Sequence, residues 1–370
     1  MDETRLYWIG FNRVGGVGAV RLRLLLDAFG DVRTAWHASE AELLGAGLDR
    51  RSARAVGEAR RTIDLPAEAA KIEALGLQVL TWADDEYPER LLEIDAPPPV
   101  LYVRGGLLPQ DRWATAVVGT RRPSVYGRSV ARDLGSLLGA AGVTVVSGLA
   151  RGIDAAAHEA ALEAGGRTIA VMGCGLDRLY PPEHRRLAES IAGAGALMSD
   201  YPLGTPPEAV NFPPRNRIIA GLSLVVVIVE AGEGSGALIT ADFAADQGRE
   251  VFSVPGSIYS GSSRGTNQLI AAGARPLVDL REVVEALNLD LAVRQEQTAQ
   301  ALPEDPTEAR LLEALSAEPM HVDELRLRCD LPAAQVGAGL AMLELKGRVR
   351  QVGGMHYVRV REAGPVYKVE

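Results

Sequence analysis

Two stretches of this chain place arginine among the residues that phosphate sites use. "GTRRPSVYG" (119–127) follows an apolar run with Gly119, Thr120, Arg121 and Arg122, and then a helix start. "NFPPRNRIIAGLS" (211–223) sets Phe212 beside Arg215, Asn216 and Arg217 where an amphipathic helix begins. Glycine admits a ligand close to the backbone, a helix's first turn presents free N–H donors, and arginine forks onto phosphate oxygens. An aromatic ring beside such groups offers a stacking face for a base. The chemistry on offer is anion binding: a cofactor's phosphate, a nucleotide's, or a nucleic-acid backbone's.

Three further glycine turns repeat the design. "SGLARGIDAAAHEAAL" (147–162) gives Ser147, Gly148 and Arg151 before a helix. "MGCGLDRLYPPEHRRL" (172–187) gives Gly173, Gly175 and Arg178, with Arg185 and Arg186 at a helix start. "EAGEGSGALITAD" (230–242) gives Gly234 and Ser235 before another. Asp154 and His158, four apart, read first as a capping aspartate and a histidine bonded to it, and second as an acid/base pair. Cys174 has no neighbouring base and reads as a small buried residue. For Arg121 and Arg122 the plain alternative is a pair of surface ion pairs.

These turns need strands to hold them. "ATAVVG" (114–119), "VTVVSG" (143–148), "RTIAVMG" (167–173), "GALMSD" (195–200), "LSLVVVIVE" (222–230) and "REVFSVPG" (249–256) are continuous apolar runs separated by helical stretches. Strands of that kind are buried on both faces, and repeated strand–helix units require a parallel sheet with right-handed crossovers. The expectation is an α/β domain with a Rossmann-like, doubly wound, mainly parallel sheet, and with the glycine turns at its carboxyl edge. No G-x-G-x-x-G with a following acid occurs, which disfavours nicotinamide and flavin cofactors, and no G-x-x-x-x-G-K-[ST] occurs. We expect no cofactor.

The flanks read differently. Residues 1–76 form short helices punctuated by glycine; the "GGVG" turn (15–18) has the form of a helix-hairpin-helix, and the module reads as a small SAM-like or helix-hairpin-helix-like packing unit. Residues 77–289, with two lead-in strands around a proline-rich connector, make the sheet domain. A polar linker (290–306) precedes 307–360, where three helical stretches and two strands around "GG" give the order of a winged helix, and 361–370 is a tail. Its recognition helix (331–347) has only Gln335 near its start to read a base edge, so partner docking is favoured over sequence-specific reading.

Composition limits the classes. The chain has 370 residues, a formal charge of −9 and 36 arginines against three lysines, so a polyanion site must be a local patch. Two distant cysteines and five scattered histidines argue against disulfides and metal. No run of about eighteen apolar residues exists and the start lacks a signal peptide's basic region, so a cytoplasmic location is expected.

"GTRRPSVYG", "SGLARGIDAAAH", "GCGLDRLYP", "NFPPRNRIIAGLS", "SGALITADFAADQGREVFSVPG" and "GTNQLIAAGA" (265–274), in this order and spacing, resemble the DNA-processing protein A family (DprA, also called Smf). The resemblance covers nearly the whole sheet domain. It implies a non-enzymatic protein that binds single-stranded DNA at the sheet edge, dimerises, and loads the RecA recombinase during natural transformation, with single-strand-binding proteins as further partners. Carried over, its phosphate pocket comprises Gly119, Thr120, Arg121, Phe212, Arg215, Asn216 and Arg217. Where many members carry two lysines, this chain has Pro182 and Ala209. Two alternatives stay beside it: a nucleotide-hydrolysing Rossmann-like enzyme, for which Asp242 is the available carboxylate, and a winged-helix regulator.

Overall fold

The computed structural model describes residues 2–287, 306–316, 319–345, 348–352 and 354–359. The expected linker at 290–306, apart from its last residue, and the expected tail at 361–370 lie outside them. Two compact units emerge, Met1–Leu287 and Asn288–Glu370.

The first unit opens with six helices: α1 (Glu3–Asn12), α2 (Ala19–Phe29), α3 (Val32–His37), α4 (Glu40–Gly45), α5 (Arg50–Thr62) and α6 (Leu65–Ala74). Aspartate or serine side chains cap four of them: Asp31, Ser39, Asp49 and Asp64 each accept a backbone N–H from the first turn. Their apolar faces close on Phe11, Leu25 and Trp36, and that core continues into β1 (Gln78–Thr81) and β2 (Val100–Gly105) through Val79, Val100 and Tyr102. The short α7 (Glu89–Leu92) lies between those two strands in sequence.

The remaining elements alternate: β3 (Ala114–Val118), α8 (Val125–Ala140), β4 (Thr144–Ser147), α9 (Ile153–Glu163), β5 (Thr168–Val171), α10 (Arg185–Ala194), β6 (Ala196–Ser199), α11 (Phe212–Leu222), β7 (Val225–Ile228), α12 (Gly236–Asp246), β8 (Glu250–Ser253), α13 (Arg264–Ala271), β9 (Arg275–Pro276) and α14 (Arg281–Ala286). The nine strands form one sheet in the order β1-β2-β6-β5-β4-β3-β7-β8-β9. All pairings from β6 to β9 are parallel, and only β1 with β2 and β2 with β6 are antiparallel. The expected doubly wound, mainly parallel sheet is therefore observed. Its order reverses at β3, which has β4 on one side and β7 on the other. With right-handed crossovers that reversal sends α8 and α9 to one face and α12 to the other, and leaves a crevice beyond the carboxyl ends of β3 and β7.

The alanine run of α9 has a packing reason. Gly135 and Gly139 of α8 abut the Ala157 and Ala161 backbones, where an added Cβ would sit 2.6 Å and 2.8 Å from their carbonyl oxygens.

The second unit contains α15 (Pro306–Ala314), β10 (Met320–His321), α16 (Val322–Cys329), α17 (Ala333–Leu345), β11 (Val349–Gln351) and β12 (His356–Arg359). Its sheet runs β10-β12-β11, all antiparallel, over a core that includes Leu311, Leu325, Val336, Leu340 and Val349. This is the winged helix, with one strand more than the two expected: β10 is two residues long, too short to leave a periodicity. Among the described residues no helix is long and apolar enough to cross a membrane.

Gly135→Ala is expected to lower stability by about 1 kcal/mol in urea unfolding, because the contact with a backbone oxygen outweighs the helix-propensity gain of up to about 1 kcal/mol.

Candidate functional site

The crevice at the strand reversal is a cleft of about 670 Å³. The loop after β3 supplies Gly119, Thr120, Arg121 and Arg122, and the loop after β7 supplies Gly232 through Gly236. The first turns of α11 supply Phe212, Arg215 and Asn216. A smaller recess continues from it between Arg121, Gly148, Arg151, Tyr180, Phe212 and Arg215.

The first loop is fixed from below. Thr120 N–H donates to the Glu230 carbonyl at 2.7 Å, and the buried Glu230 carboxylate accepts from Ser124 N–H at 2.8 Å and from its hydroxyl at 3.1 Å. Ser124 in turn caps α8 by accepting from Gly127 N–H. Gly119 is obligatory, since an added Cβ would lie 2.6 Å from Ile153 and 2.9 Å from the Glu230 carbonyl oxygen. The Arg121 and Arg122 side chains are exposed and make no ion pair among the described residues, so the plain alternative of surface ion pairs does not hold. Arg121 instead lies 5.5 Å from the Phe212 ring centre.

Phe212 is half-buried and packed from several sides. Tyr180 is 5.7 Å away centre to centre, the Arg215 guanidinium 5.8 Å, and Gly173 forms the seat, where a Cβ would stand 2.7 Å from the ring. Arg151 lies 5.9 Å from the Tyr180 ring and is paired with Glu183.

Arg215 is only 4% exposed. Its Nη1 donates to the carbonyls of Gly148, at 3.1 Å, and of Val171. Asp154 faces it across Gly148, where a Cβ would be 2.6 Å from Arg215 Nη2 and 2.9 Å from Asp154 Oδ2. Asp154 accepts from Gly148 N–H and Ala150 N–H. Burial pushes its carboxyl up, against the pull of Arg215 and these N–H groups. Burial likewise pushes the Arg215 guanidinium down, against Asp154. Asn216 lines the cleft beside it and donates to the Gly236 carbonyl.

Several residues expected at the site lie elsewhere. Arg217 is two positions from Arg215, about 200° around the helix, and it bonds Asp200 at 2.7 Å and the Ala96 carbonyl at 2.9 Å. Ser147 is fully buried and donates to the Val117 carbonyl. Gly173 and Gly175 are buried, and Gly175 abuts Asp177, which Arg178 also approaches at 3.6 Å. Arg185 is exposed outside both recesses. His158 does not bond Asp154: its Nδ1 meets Thr168 Oγ1, whose hydroxyl already donates to the Val145 carbonyl, so the ring carries the proton on Nδ1. Asp154 caps the preceding loop, not its own helix. Cys174 is buried, with its thiol pushed up to about 11 by burial. Asp242 is exposed and absent from the cleft lining.

The cleft also holds residues that sequence reasoning had not assigned to binding: Asp154, Tyr180, Pro207, Ile219, Glu233 and Thr240. Ile219 was legible, because Phe212, Arg215, Asn216 and Ile219 follow the i, i+3, i+4, i+7 pattern of one helix face. The buried Thr240 hydroxyl, without a hydrogen-bond partner among the described residues, leaves no such signal. Among the described residues no cluster of three or more metal-ligating side chains occurs.

Fold and site together define a protein with a Rossmann-like sheet domain, an arginine-lined cleft at its sheet edge, and a winged helix. Residues 78–288 match the family profile described as DNA recombination-mediator protein A, and residues 295–355 match the DprA winged helix domain. The chain is 38% identical to Protein Smf of Synechocystis, over 97% of this chain and 99% of that one. It superposes on the crystal structure of DNA processing protein A from Streptococcus pneumoniae with a TM-score of 0.67 and 34% identity, covering 77% of this chain and 98% of that one. A second solved relative, DNA processing protein A from Helicobacter pylori, is described by its single-stranded DNA binding mode; its TM-score is 0.53 at 30% identity, over 58% of this chain and 96% of that one. The chain belongs to the DNA recombination-mediator protein A family, DprA or Smf.

Removing Arg215 leaves Asp154 buried without its counter-charge. Arg215→Ala is expected to lower stability by about 3 kcal/mol or more in chemical unfolding, whereas Arg121→Ala leaves the unfolding midpoint unchanged. The buried His158 supplies a pH signature. Burial first, then the charges of His184 and Arg215, push its pKa down to about 3. Below about pH 6.5 an unfolded histidine takes a proton that the folded one refuses, so the unfolded state binds more protons and stability is lost as the pH is lowered. Between about pH 6 and 3 the wild type should lose about 1 kcal/mol per pH unit more than His158→Gln, read as the difference of their unfolding curves.

Proposed function

We propose that this protein binds single-stranded DNA in the sheet-edge cleft, shelters it, and delivers it to the RecA recombinase in natural transformation and recombination. The observation that carries the reading is the pair of exposed arginines without ion pairs among the described residues, Arg121 and Arg122, beside a half-buried aromatic ring of the same cleft, Phe212. Permanent charge next to an aromatic surface suits a flexible strand, whose phosphates and bases are both within reach, and gives little sequence preference. The Helicobacter pylori relative's single-stranded DNA binding mode supports the same ligand.

The reading is of a binding protein and not an enzyme. Asp154, the buried carboxylate in the cleft wall, is engaged by two backbone N–H groups and faces Arg215, and Asp242 lies outside the cleft. With Ala209 at the cleft rim where a lysine was expected, charge there rests on arginine. The working form is a homodimer in the cytoplasm, since two linked clefts hold one strand with an effective concentration that neither has alone. RecA and single-strand-binding proteins meet it on that strand.

Fluorescence anisotropy with labelled single-stranded and duplex oligonucleotides over a salt series tests this. Single strands bind tighter, and Arg121→Ala lowers the slope of log K against log salt by about 0.7. Phe212→Ala costs about 1–3 kcal/mol of binding. Variants that bind like the wild type would remove the cleft from the reading. RecA assembly on strands coated with single-strand-binding protein, followed with and without this chain, tests delivery: no acceleration refutes it.

A further inference from the structure

We propose that the helical module carries a second backbone-phosphate site for the same strand, in a basic groove that one loop links to the sheet-edge cleft. The proposal rests on the single-strand reading above and extends its footprint.

Helix α5 opens with Arg50 and Arg51 and carries Arg54 one turn on, so the three share an exposed face while Ser52, Ala53 and Val56 are buried. Together with Gly15 and Gly16 of the turn before α2, and with Glu58, they line a groove of about 680 Å³. Arg50 and Arg51 have no carboxylate within ion-pair distance among the described residues. Arg54 approaches Glu40 at 3.6 Å with both groups exposed, a contact that salt and a competing phosphate displace readily. Two cations in a helix's first turn oppose the helix dipole, so the stability of α5 does not account for them. A chain with a charge of −9 nonetheless keeps three arginines together in a groove whose other wall is bare glycine.

A neighbouring recess and one loop lead from the groove toward the cleft. This recess, of about 350 Å³, shares Gly15 with the groove and is walled by Arg13, Pro202, Gly204 and Thr205. The same loop runs on to Pro207 and Ala209, which line the sheet-edge cleft. Thr205 and Pro207 are two residues apart, so their Cα atoms are separated by at most about 7 Å. The loop is fastened to the helical module, with Asn12 donating to the Asp200 carbonyl and Arg13 to the Leu203 carbonyl, each at 3.1 Å. A strand leaving the cleft over this loop meets the arginines of α5 next. The path to a cleft that combines arginine and an aromatic ring favours a nucleic-acid backbone over an acidic protein surface as the occupant.

The test uses the full chain and labelled deoxythymidine oligonucleotides of about 6 and about 25 nucleotides, read by anisotropy over a salt series. R50A/R51A/R54A is expected to bind the long strand about tenfold more weakly, with a salt slope lower by about 2, and the short strand within about twofold of wild type. R50K/R51K/R54K is expected to hold the long strand within about threefold, because the contact is charge on phosphate. Unchanged long-strand affinity in the alanine variant, equal loss on both lengths, or a lysine variant as weak as the alanine one overturns the second site while leaving the cleft standing. A wild type that binds neither length overturns both.

Discussion

A guanidinium taken out of water must meet acceptors on every side, and the sheet edge is built around that requirement at Arg215. Its acceptors are the carbonyl just beyond β4 and the one that ends β5, and its counter-charge is Asp154 at the start of α9. Three elements that come from different parts of the chain are thereby fixed to one side chain. Gly148 has no side chain because that space is filled from both sides by Arg215 and Asp154. With Arg215 seated, α11 has one available phase, and that phase sets Phe212 on Gly173 and beside Tyr180. Arg121 then closes over a ring that is already in place.

The strands were legible because parallel strands buried on both faces are unbroken apolar runs, and the turns because glycine marks their ends. Which side chain faces the ligand was less legible. Arg215 and Arg217 have the same chemistry, and only helical phase separates the one in the cleft wall from the one bonded to Asp200. Ser147, Gly173 and Gly175 were placed in the right turns, but each serves the frame: Ser147 bonds a neighbouring strand, Gly173 makes room for a ring, and Gly175 fits against Asp177. The partner of His158 could not be read from spacing, since Thr168 comes from the next strand. Two-residue strands such as β9 and β10 carry too few residues for any pattern.

Arginine abundance by itself located nothing. Arg167 bonds Asp111 and two carbonyls, Arg217 is tied to Asp200 and Ala96, and Arg151 is paired with Glu183. Arg121 and Arg122 lack such partners among the described residues and also line the sheet-edge cleft, and it is the two together that set them apart. An acidic protein handles a polyanion by choosing which of its arginines to leave uncompensated, and the surrounding negative charge confines the polyanion to those places.

The buried Glu230 ties the first loop at both ends, to Thr120 and to Ser124, before anything binds. The backbone that presents Arg121 is therefore a rigid template, and the entropy of ordering on association falls on the ligand and on a few side chains. A limp, unstacked strand surrenders more freedom to such a template than one already extended by neighbouring proteins. Under the proposed function, the pinned loop makes the strand's own stiffness, as much as its charge, a determinant of how tightly it is held.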